Sequence, residues 1–397
     1  MKSDNKAFII KGITLSVAIF MFLGAFYYAN HDRPGYFRNF DSGMSFETAR
    51  VIRILEDNTI IDETTEGIRR GRMELQIEIL TGEYRGSIGE VTNHFSGLFN
   101  VNVDEGDRIS VRIANIDETT FNVNIHNYER RELFIGFIAL FFILLGAIGG
   151  KRGIKSVLGL IFTMTSIIYL LIPLVLKGFP AIPTTVVILI ITSIVSLVLL
   201  GGITKKTIAS MIGCASGVIC AAILAWGVGH LAGISGFNME ETESLLQIRF
   251  DTDLQITGLF ISGVLIASLG AVMDIAVSIA SSVDEIKENH PEINKNQLFK
   301  SGMNIGRDAM GTMSNTLILA FSGSSLNMMI IIFSYGITFN QLINTDFIGV
   351  ELIRSLAGSL GIILTVPVVA YLSAKFATDW KIEENQFIKL LMTQDSE

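Results

Sequence analysis

Cysteine, proline and charge are all scarce in this chain. Its 397 residues include two cysteines, six prolines and five histidines, and 17% of them are charged, whereas about a quarter of an ordinary soluble protein is charged. Two cysteines are too few for a disulfide-stapled fold, and the low charge argues against a cytosolic enzyme. No basic segment stands out, which disfavours a nucleic-acid-binding protein.

Lysine is absent from residues 30–132, although this segment is rich in other charges. It holds 12 Arg and 19 Asp or Glu, a net charge of −7 (12 − 19), whereas the other 294 residues hold 18 basic and 19 acidic groups, a net charge of −1 (18 − 19). Nearly all of the formal charge of −8 therefore lies in one segment. This distribution predicts a polytopic membrane protein with one hydrophilic domain near its start.

Eight segments have the roughly 20 mostly apolar residues that a helix needs to cross a bilayer. Each is expected to be helical, because lipid offers its backbone no hydrogen-bond partner. The predicted spans are Phe8–Ala29, Leu133–Gly149, Ser156–Leu176, Thr184–Leu200, Ile208–Leu231, Ile256–Ala280, Met313–Tyr335 and Leu352–Ala374.

Basic residues beside the spans predict the orientation of the chain. Outside residues 30–132, fifteen Lys and Arg fall on the side of the N-terminus and three on the opposite side. We therefore expect both termini in the cytoplasm, a membrane domain over residues 133–375 and a cytoplasmic tail over residues 376–397. The first 29 residues form either a cleaved signal peptide or an uncleaved signal-anchor. Their long apolar run, which ends in Phe26, Tyr27 and Tyr28, favours the signal-anchor.

Residues 30–132 show the alternation of short β-strands separated by turn residues. We therefore expect a small extracytoplasmic β-rich domain, either an OB-like barrel or a sandwich. It would serve as a spacer or partner-docking module, or alternatively bind a ligand. The predicted strands are Ala49–Leu55, Met73–Leu80, Ser87–Val91, Arg108–Ala114 and Phe121–Ile125.

Asp274 is the clearest ionisable residue inside a predicted span. Such a residue is costly in a bilayer and usually faces the bundle interior or water. Small residues let another helix approach closely, so we expect the stripe around Asp274 to face inward. Asp274 would then contact an ion, proton or substrate, or merely bond a neighbouring hydroxyl. The stripe comprises Gly263, Ala267, Gly270, Asp274, Ser278, Ser281 and Glu285.

A second polar segment, Ser301–Thr316, enters the seventh predicted span from the cytoplasm. Its glycines permit a broken or re-entrant helix that could hold an anion. The alternative is an interfacial loop in which Arg307 and Asp308 pair locally. One cytoplasmic loop joins this segment to the previous span, so we expect the two polar stripes to face each other. The residues that share one helical face here are Asn304, Asp308, Gly311 and Asn315.

Residues Met273–Ser282 and Lys300–Ala320 closely resemble the YibE/F-like family of bacterial multi-pass membrane proteins. The resemblance extends over about residues 130–375. It implies a bacterial cell-membrane protein, of a kind often encoded beside a second family member as its expected pair, and it implies no established activity.

No enzyme motif is evident in the sequence. It contains neither the His-Glu-x-x-His of a zinc protease nor a phosphate-binding loop, and its histidines lack the spacing of metal ligands. Several Gly-x-x-x-Gly pairs, including Gly213–Gly217 and Gly302–Gly306, indicate helix packing only. We therefore expect neither enzymatic activity nor a cofactor or metal.

The sequence favours a permease-like secondary transporter, or a subunit of a transport complex, with a polar path around Asp274. A second YibE/F-like protein or a homo-oligomer is the expected partner, besides the lipid bilayer. The alternative is a non-transporting scaffold or assembly factor that acts through its extracytoplasmic domain. The predicted path residues are Asp274, Ser278, Ser281, Asn304, Arg307, Asp308, Asn315 and Thr316.

Overall fold

The structure, a computed structural model, describes residues 22–31, 44–97, 99–117, 120–234, 236–237 and 241–379. Most of the predicted first span and most of the predicted tail lie outside these residues. The chain divides into two compact units, one running from Gly35 to Leu144 and the other formed by the remaining residues on both sides of it. The described strands all belong to the first of these units.

That unit contains a five-stranded antiparallel sheet, a half-barrel with the strand order β3-β2-β1-β4-β5. The five predicted strands are confirmed, and all are longer than predicted. Side chains alternate between the buried and the exposed face, as expected for half-buried strands. The strands are β1 (Met44–Asp62), β2 (Ile68–Ile79), β3 (Ile88–Phe95), β4 (Arg108–Asp117) and β5 (Thr120–Tyr128).

The first strand accounts for the curvature of this sheet. Its first residues pair with β4 and its later residues pair with β2. Two register shifts, after Val51 and after Ile54, interrupt the pairing with β2, and such bulges bend a strand and increase its twist. The outer strands β3 and β5 approach each other. One apolar core fills the concave side, with Leu75, Ile109 and Val111 fully buried.

The other unit is helical. The helix Arg131–Ser166 (α2) belongs to both units, since its residues up to Leu144 are part of the sheet unit. Residues 22–30 form α1. A π-helix, Ile167–Leu171, separates α2 from α3. The remaining helices are α2 (Arg131–Ser166), α3 (Ile172–Leu176), α4 (Ala181–Gly201), α5 (Lys205–Leu231), α6 (Thr242–Asp251), α7 (Leu259–Asn289), α8 (Lys295–Ser324), α9 (Leu326–Ser334), α10 (Phe339–Ile343) and α11 (Asp346–Asp379).

Five helical stretches in the described part of the chain are long and apolar enough to cross a membrane. The bent pair α8–α9 is a sixth if it counts as one span, with an angle of 63° at the break. The structure therefore supports a mostly helical protein with five candidate spans. These are Arg131–Leu176, Ala181–Gly201, Lys205–Leu231, Leu259–Asn289 and Asp346–Asp379.

The first candidate span is interrupted at Gly150, whose backbone angles (φ 55°, ψ −138°) are not helical. A Cβ atom at Gly153 would lie 2.1 Å from the carbonyl oxygen of Leu145. Residues eight apart in a straight helix would instead be about 12 Å apart along the axis. The chain therefore turns back on itself at Gly150, where a positive φ favours glycine.

The last helix, α11, packs against α5, α7 and α8. Glycines make the closest of these contacts. A Cβ at Gly213 would lie 2.0 Å from Cγ2 of Val369, and a Cβ at Gly217 would lie 2.0 Å from Oγ1 of Thr365. The packing role predicted for the Gly213–Gly217 pair is confirmed, since both backbones need the space that a side chain would fill.

The described part of the first helix is anchored to the helices that follow the sheet unit. The ring of Phe22 lies 5.2 Å from that of Phe162. The side-chain amide of Asn30 donates a hydrogen bond of 2.8 Å to the carbonyl of Tyr169, which lies in the π-helix. The ammonium group of Lys177 donates to the carbonyl of Tyr28 and stands 4.8 Å from the centre of its ring.

The predicted seventh span, Met313–Tyr335, is not one continuous helix, and the helix that contains its first residues begins earlier. The helix α8 begins at Lys295, where Asn294 and Gln297 form a capping box, and it breaks at Ser325. It is continuous through Ser301–Thr316, so this segment is neither a broken helix nor a loop. Its glycines do not interrupt it, because Gly302 and Gly306 serve helix packing instead.

Candidate functional site

The stripe around Asp274 lies on the face of α7 that points away from the helices packed against it. Ile275, Ala276 and Ile279, which form the packed face, are fully buried. Gly263 and Gly270 have no heavy atom within 4 Å of the position of a Cβ. The predicted inward orientation of this stripe is therefore wrong for the bundle that one chain forms. The exposed members are Gly263, Ala267, Gly270, Asp274, Ser278 and Glu285, and Ser281 is half-buried.

Asp274 lies in the middle of α7, fifteen residues from Leu259 and fifteen from Asn289. At a rise of 1.5 Å per residue it is about 22 Å from either end of the helix. Among the residues that the structure describes, its carboxylate has no hydrogen-bond or ion-pair partner. An aspartate surrounded by lipid at the centre of a bilayer costs about 2.5–3.5 kcal/mol.

Helix α8 shows the same division into a packed and an outward face. A Cβ at Gly306 would lie 2.3 Å from Cγ1 of Val366, and a Cβ at Gly302 would lie 3.1 Å from Cβ of Ala370. These two glycines thus allow α8 to pack closely against α11. The predicted path residues of α8 lie elsewhere on its surface, and all are exposed: Asn304, Arg307, Asp308, Asn315 and Thr316.

The contacts between α7 and α8 show which residues of the two stripes lie at the same height along the helix axes. Gly302 lies against Val283, and Gly306 lies against Ile279. Two residues four apart on each helix thus pair in antiparallel order. Continued along both helices, this register puts Asp274 at the level of Gly311.

The same register puts Ser278 at the level of Arg307. Carboxylate, hydroxyl and guanidinium groups thus lie at neighbouring depths on adjacent helices. The prediction that the two stripes face each other is nevertheless wrong. The glycines and apolar residues make the helix contact, while both stripes point outward.

No hydrogen bond or ion pair connects the predicted path residues within the described ranges. Thr316 donates only to the carbonyl of Thr312 in its own helix. Arg307 and Asp308 are neighbours in sequence but form no ion pair there. The structure thus places the path residues on two adjacent outward faces without bringing their side chains into contact.

The sequence reasoning missed one ionic pair in the last helix. Nη1 of Arg354 lies 2.9 Å from Oε1 of Glu351, whose side chain is 12% exposed. The other carboxylate oxygen of Glu351 is buried without a hydrogen-bond partner. The signal was the i, i+3 spacing of opposite charges near the start of a predicted span.

Metal-ligand chemistry finds no support in the described residues. No group of three His, Cys, Asp or Glu side chains there could hold a metal ion. His230 stacks on Trp226, with ring centroids 5.9 Å apart. Both cysteines are free thiols in separate parts of α5, Cys214 buried and Cys220 half-buried.

Comparison with protein families provides the identification. The model of the YibE/F-like protein family matches residues 137–379. The chain belongs to the YibE/F-like family. The match covers the helices that carry both polar stripes. Searches of curated proteins and of solved structures gave no match. Family membership and the five candidate spans together indicate a membrane-embedded protein.

Proposed function

We propose that this YibE/F-like protein is a permease-like subunit of a secondary transport system. Its polar path would form where the outward faces of α7 and α8 meet another membrane subunit. That subunit would be a second copy or a second YibE/F-like protein. The rest of the bundle would act as the rigid support that holds these two helices side by side.

The exposed position of Asp274 carries this proposal. A carboxylate in the middle of a long apolar helix cannot face hydrocarbon without a cost of several kcal/mol. The packed side of α7 is already filled by apolar residues of its own chain. The outward face is therefore best explained by a second protein surface or a water-filled path that covers it. Gly270 and Gly311, which have open space around them, allow such a surface to approach closely.

The residues on this face suggest a division of roles. Asp274 would bind a cation or relay a proton, which is the usual task of an acidic group within a membrane. Arg307, at the level of Ser278, would be its counter-charge or would contact an anion. Asn304 and Asp308 would line the cytoplasmic approach to that centre, and Asn315, one turn beyond Gly311, would lie on its opposite side. Ser281 and Thr316 complete the proposed lining.

We further propose eight spans with both termini in the cytoplasm of a bacterial cell. The turn at Gly150 supports two spans within Arg131–Leu176, and the helix at residues 22–30 supports one more. Together with α4, α5, α7, α8–α9 and α11, these make eight. The five antiparallel strands would form an OB-like, partly open barrel outside the cell. Reporter fusions at residues 40, 153 and 240 test this orientation.

A solute screen that compares two carboxylate variants tests the transport proposal. Membrane vesicles from cells that produce the full chain would be assayed for uptake of ions and small metabolites. Asp274→Asn should abolish any uptake that depends on the protein, with its membrane abundance unchanged. Asp253→Asn, which changes an exposed carboxylate before α7, should keep that uptake. Equal loss of folded protein in Asp274→Asn would show that Asp274 is structural.

The alternative is a scaffold that acts through the sheet unit, and a deletion separates it from transport. Removal of residues 40–128 should leave solute uptake largely intact if the helical unit is the transporter. A phenotype that requires the sheet unit and ignores Asp274→Asn would favour the scaffold.

A further inference from the structure

The sheet unit contains a cleft of about 390 Å³ that is lined by arginines. The cleft lies between the strands β1, β2 and β4, the turn that follows β2, and the first residues of α2. Four guanidinium-bearing side chains contribute to its walls: Arg50, Arg85, Arg108 and Arg131. The whole segment of residues 30–132 has a net charge of −7, so this concentration of positive charge is local.

The fold brings the four arginines together from separate parts of the unit. Arg50 in β1 is the direct cross-strand partner of Arg108 in β4. Like charges directly opposite each other in a sheet are unfavourable, and a bound anion would offset that repulsion. Arg85 lies in the turn between β2 and β3, and Arg131 is the first residue of α2.

The three glutamates of the cleft offset the charge of the four arginines only in part, and Glu129 acts on Arg131 and Arg108. Glu129 accepts a hydrogen bond of 2.7 Å from the Thr48 hydroxyl and one of 3.1 Å from the backbone N–H of Arg131. The bond from Thr48 chiefly lowers the pKa of Glu129, against some opposing desolvation. The carboxylate is therefore ionised and already occupied by these donors.

Glu132 and Glu78 leave most of the guanidinium groups available. Oε1 of Glu132 lies 3.4 Å from Nη1 of Arg108, and both side chains are more than half exposed. Glu78 is the cross-strand neighbour of Arg50. Within the described part of the chain, the guanidinium groups of Arg50, Arg85 and Arg131 form no ion pair.

The cleft is close to the beginning of an apolar helix in the same unit. Arg131 and Glu132 line it, and Leu133 begins the apolar part of the first candidate span. A helix of this kind enters the bilayer within a turn or two of such a charged start. On the proposed topology, on which this inference rests, the cleft would be at the level of lipid headgroups.

We propose that this cleft binds a phosphate-bearing anion through Arg50, Arg85 and Arg131. Arginine suits this task, because its planar guanidinium group makes two parallel hydrogen bonds to phosphate oxygens. The use of 12 arginines and no lysine in residues 30–132 agrees with that chemistry. The phosphate comes either from an anionic lipid headgroup in the outer leaflet or from a soluble phosphate.

Two probes on the full chain distinguish these sources. Nanodiscs would be made of phosphatidylcholine with about 20% phosphatidylglycerol, which is enough for an anionic surface. Native mass spectrometry would then measure which lipid stays bound. In detergent, titration with inorganic phosphate would measure the shift in unfolding temperature. The double variant Arg50→Gln/Arg85→Gln should lose at least about tenfold in affinity for the probe that binds, since charge-assisted bonds are the strong ones.

The matched control is Arg53→Gln/Arg72→Gln, which removes two exposed arginines of the same sheet outside the cleft. It should bind like the unmodified chain. Retention of phosphatidylglycerol identifies the headgroup as the source, and a shift with inorganic phosphate alone identifies a soluble anion. If neither probe binds, or if the two double variants behave alike, the proposal is overturned. Arg85→Gln alone, in a turn rather than a strand, gives the same test should the double variant unfold.

Discussion

A pair of glycine substitutions in α8 tests which face of this helix is packed. Gly306 and Gly311 lie five residues apart in the same helix, and each is changed to alanine. A methyl group at Gly306 would lie 2.3 Å from Cγ1 of Val366 and 3.0 Å from Cδ1 of Ile279. A methyl group at Gly311 would have no heavy atom within 4 Å.

The two substitutions should change the free energy of unfolding in opposite directions. Alanine gains about 1 kcal/mol over glycine from helix propensity at either site. At Gly306 the extra methyl overpacks the contact with α11, at a cost of about 1–3 kcal/mol. A β-branched residue such as Val366 has little rotamer freedom within a helix. Gly306→Ala should therefore lower the free energy of unfolding by up to about 2 kcal/mol, while Gly311→Ala should raise it by up to about 1 kcal/mol.

Thermal unfolding of the purified full chain in detergent measures this difference. For a unit of this size, 1 kcal/mol corresponds to about 2–4 °C, so the two variants should differ by several degrees. A stabilised Gly306→Ala together with a destabilised Gly311→Ala would refute the packing of α8. The polar stripe would then face the bundle interior after all.

Two further predictions concern single residues. Ile275→Ala should lower the free energy of unfolding by about 2–4 kcal/mol, because Ile275 is fully buried. Asp274→Asn beside it should leave the free energy of unfolding unchanged. Equal effects of the two substitutions in thermal unfolding would contradict the assignment of the packed and outward faces of α7. In the sheet unit the pKa of Glu129 is lowered from 4.5, so its stabilising contribution is present above pH 4.5 and is lost as the pH falls through the lowered pKa. Thr48→Val should weaken that pH dependence, because the hydrogen bond that chiefly lowers the pKa is lost. Hydrogen exchange near Arg131 measures it, and an unchanged pH profile would contradict it.

Much of the fold could be predicted from patterns with short periods. Alternation along Met73–Leu80 marked a strand because one face of it is buried in the sheet core. The segment Thr184–Leu200 marked a helix because it is long, uncharged and apolar at twelve of its seventeen positions. Gly213 and Gly217 indicated close packing, and the structure places them against α11.

The faces of α7 and α8 could not be predicted in this way. A stripe of small and polar residues marks a surface that something else covers, but it does not say whether the cover belongs to the same chain. The start of α8 was missed for a related reason. Its first turns are amphipathic and polar on the outside, so an apolar run becomes visible only from Met313 onward.

The water accessibility of the stripe around Asp274 tests the central claim most directly. Single cysteines at Gly270 and Ser278, which flank Asp274 on the same face, would be introduced into a chain with Cys214→Ala and Cys220→Ala. A cysteine at Ile223, an exposed apolar residue of α5, is the control. In native membranes, a charged thiol reagent should modify both stripe positions and leave the control untouched. If both stripe positions resist the reagent as the control does, no water-filled path runs along the outward face of α7, and the proposed polar path does not exist.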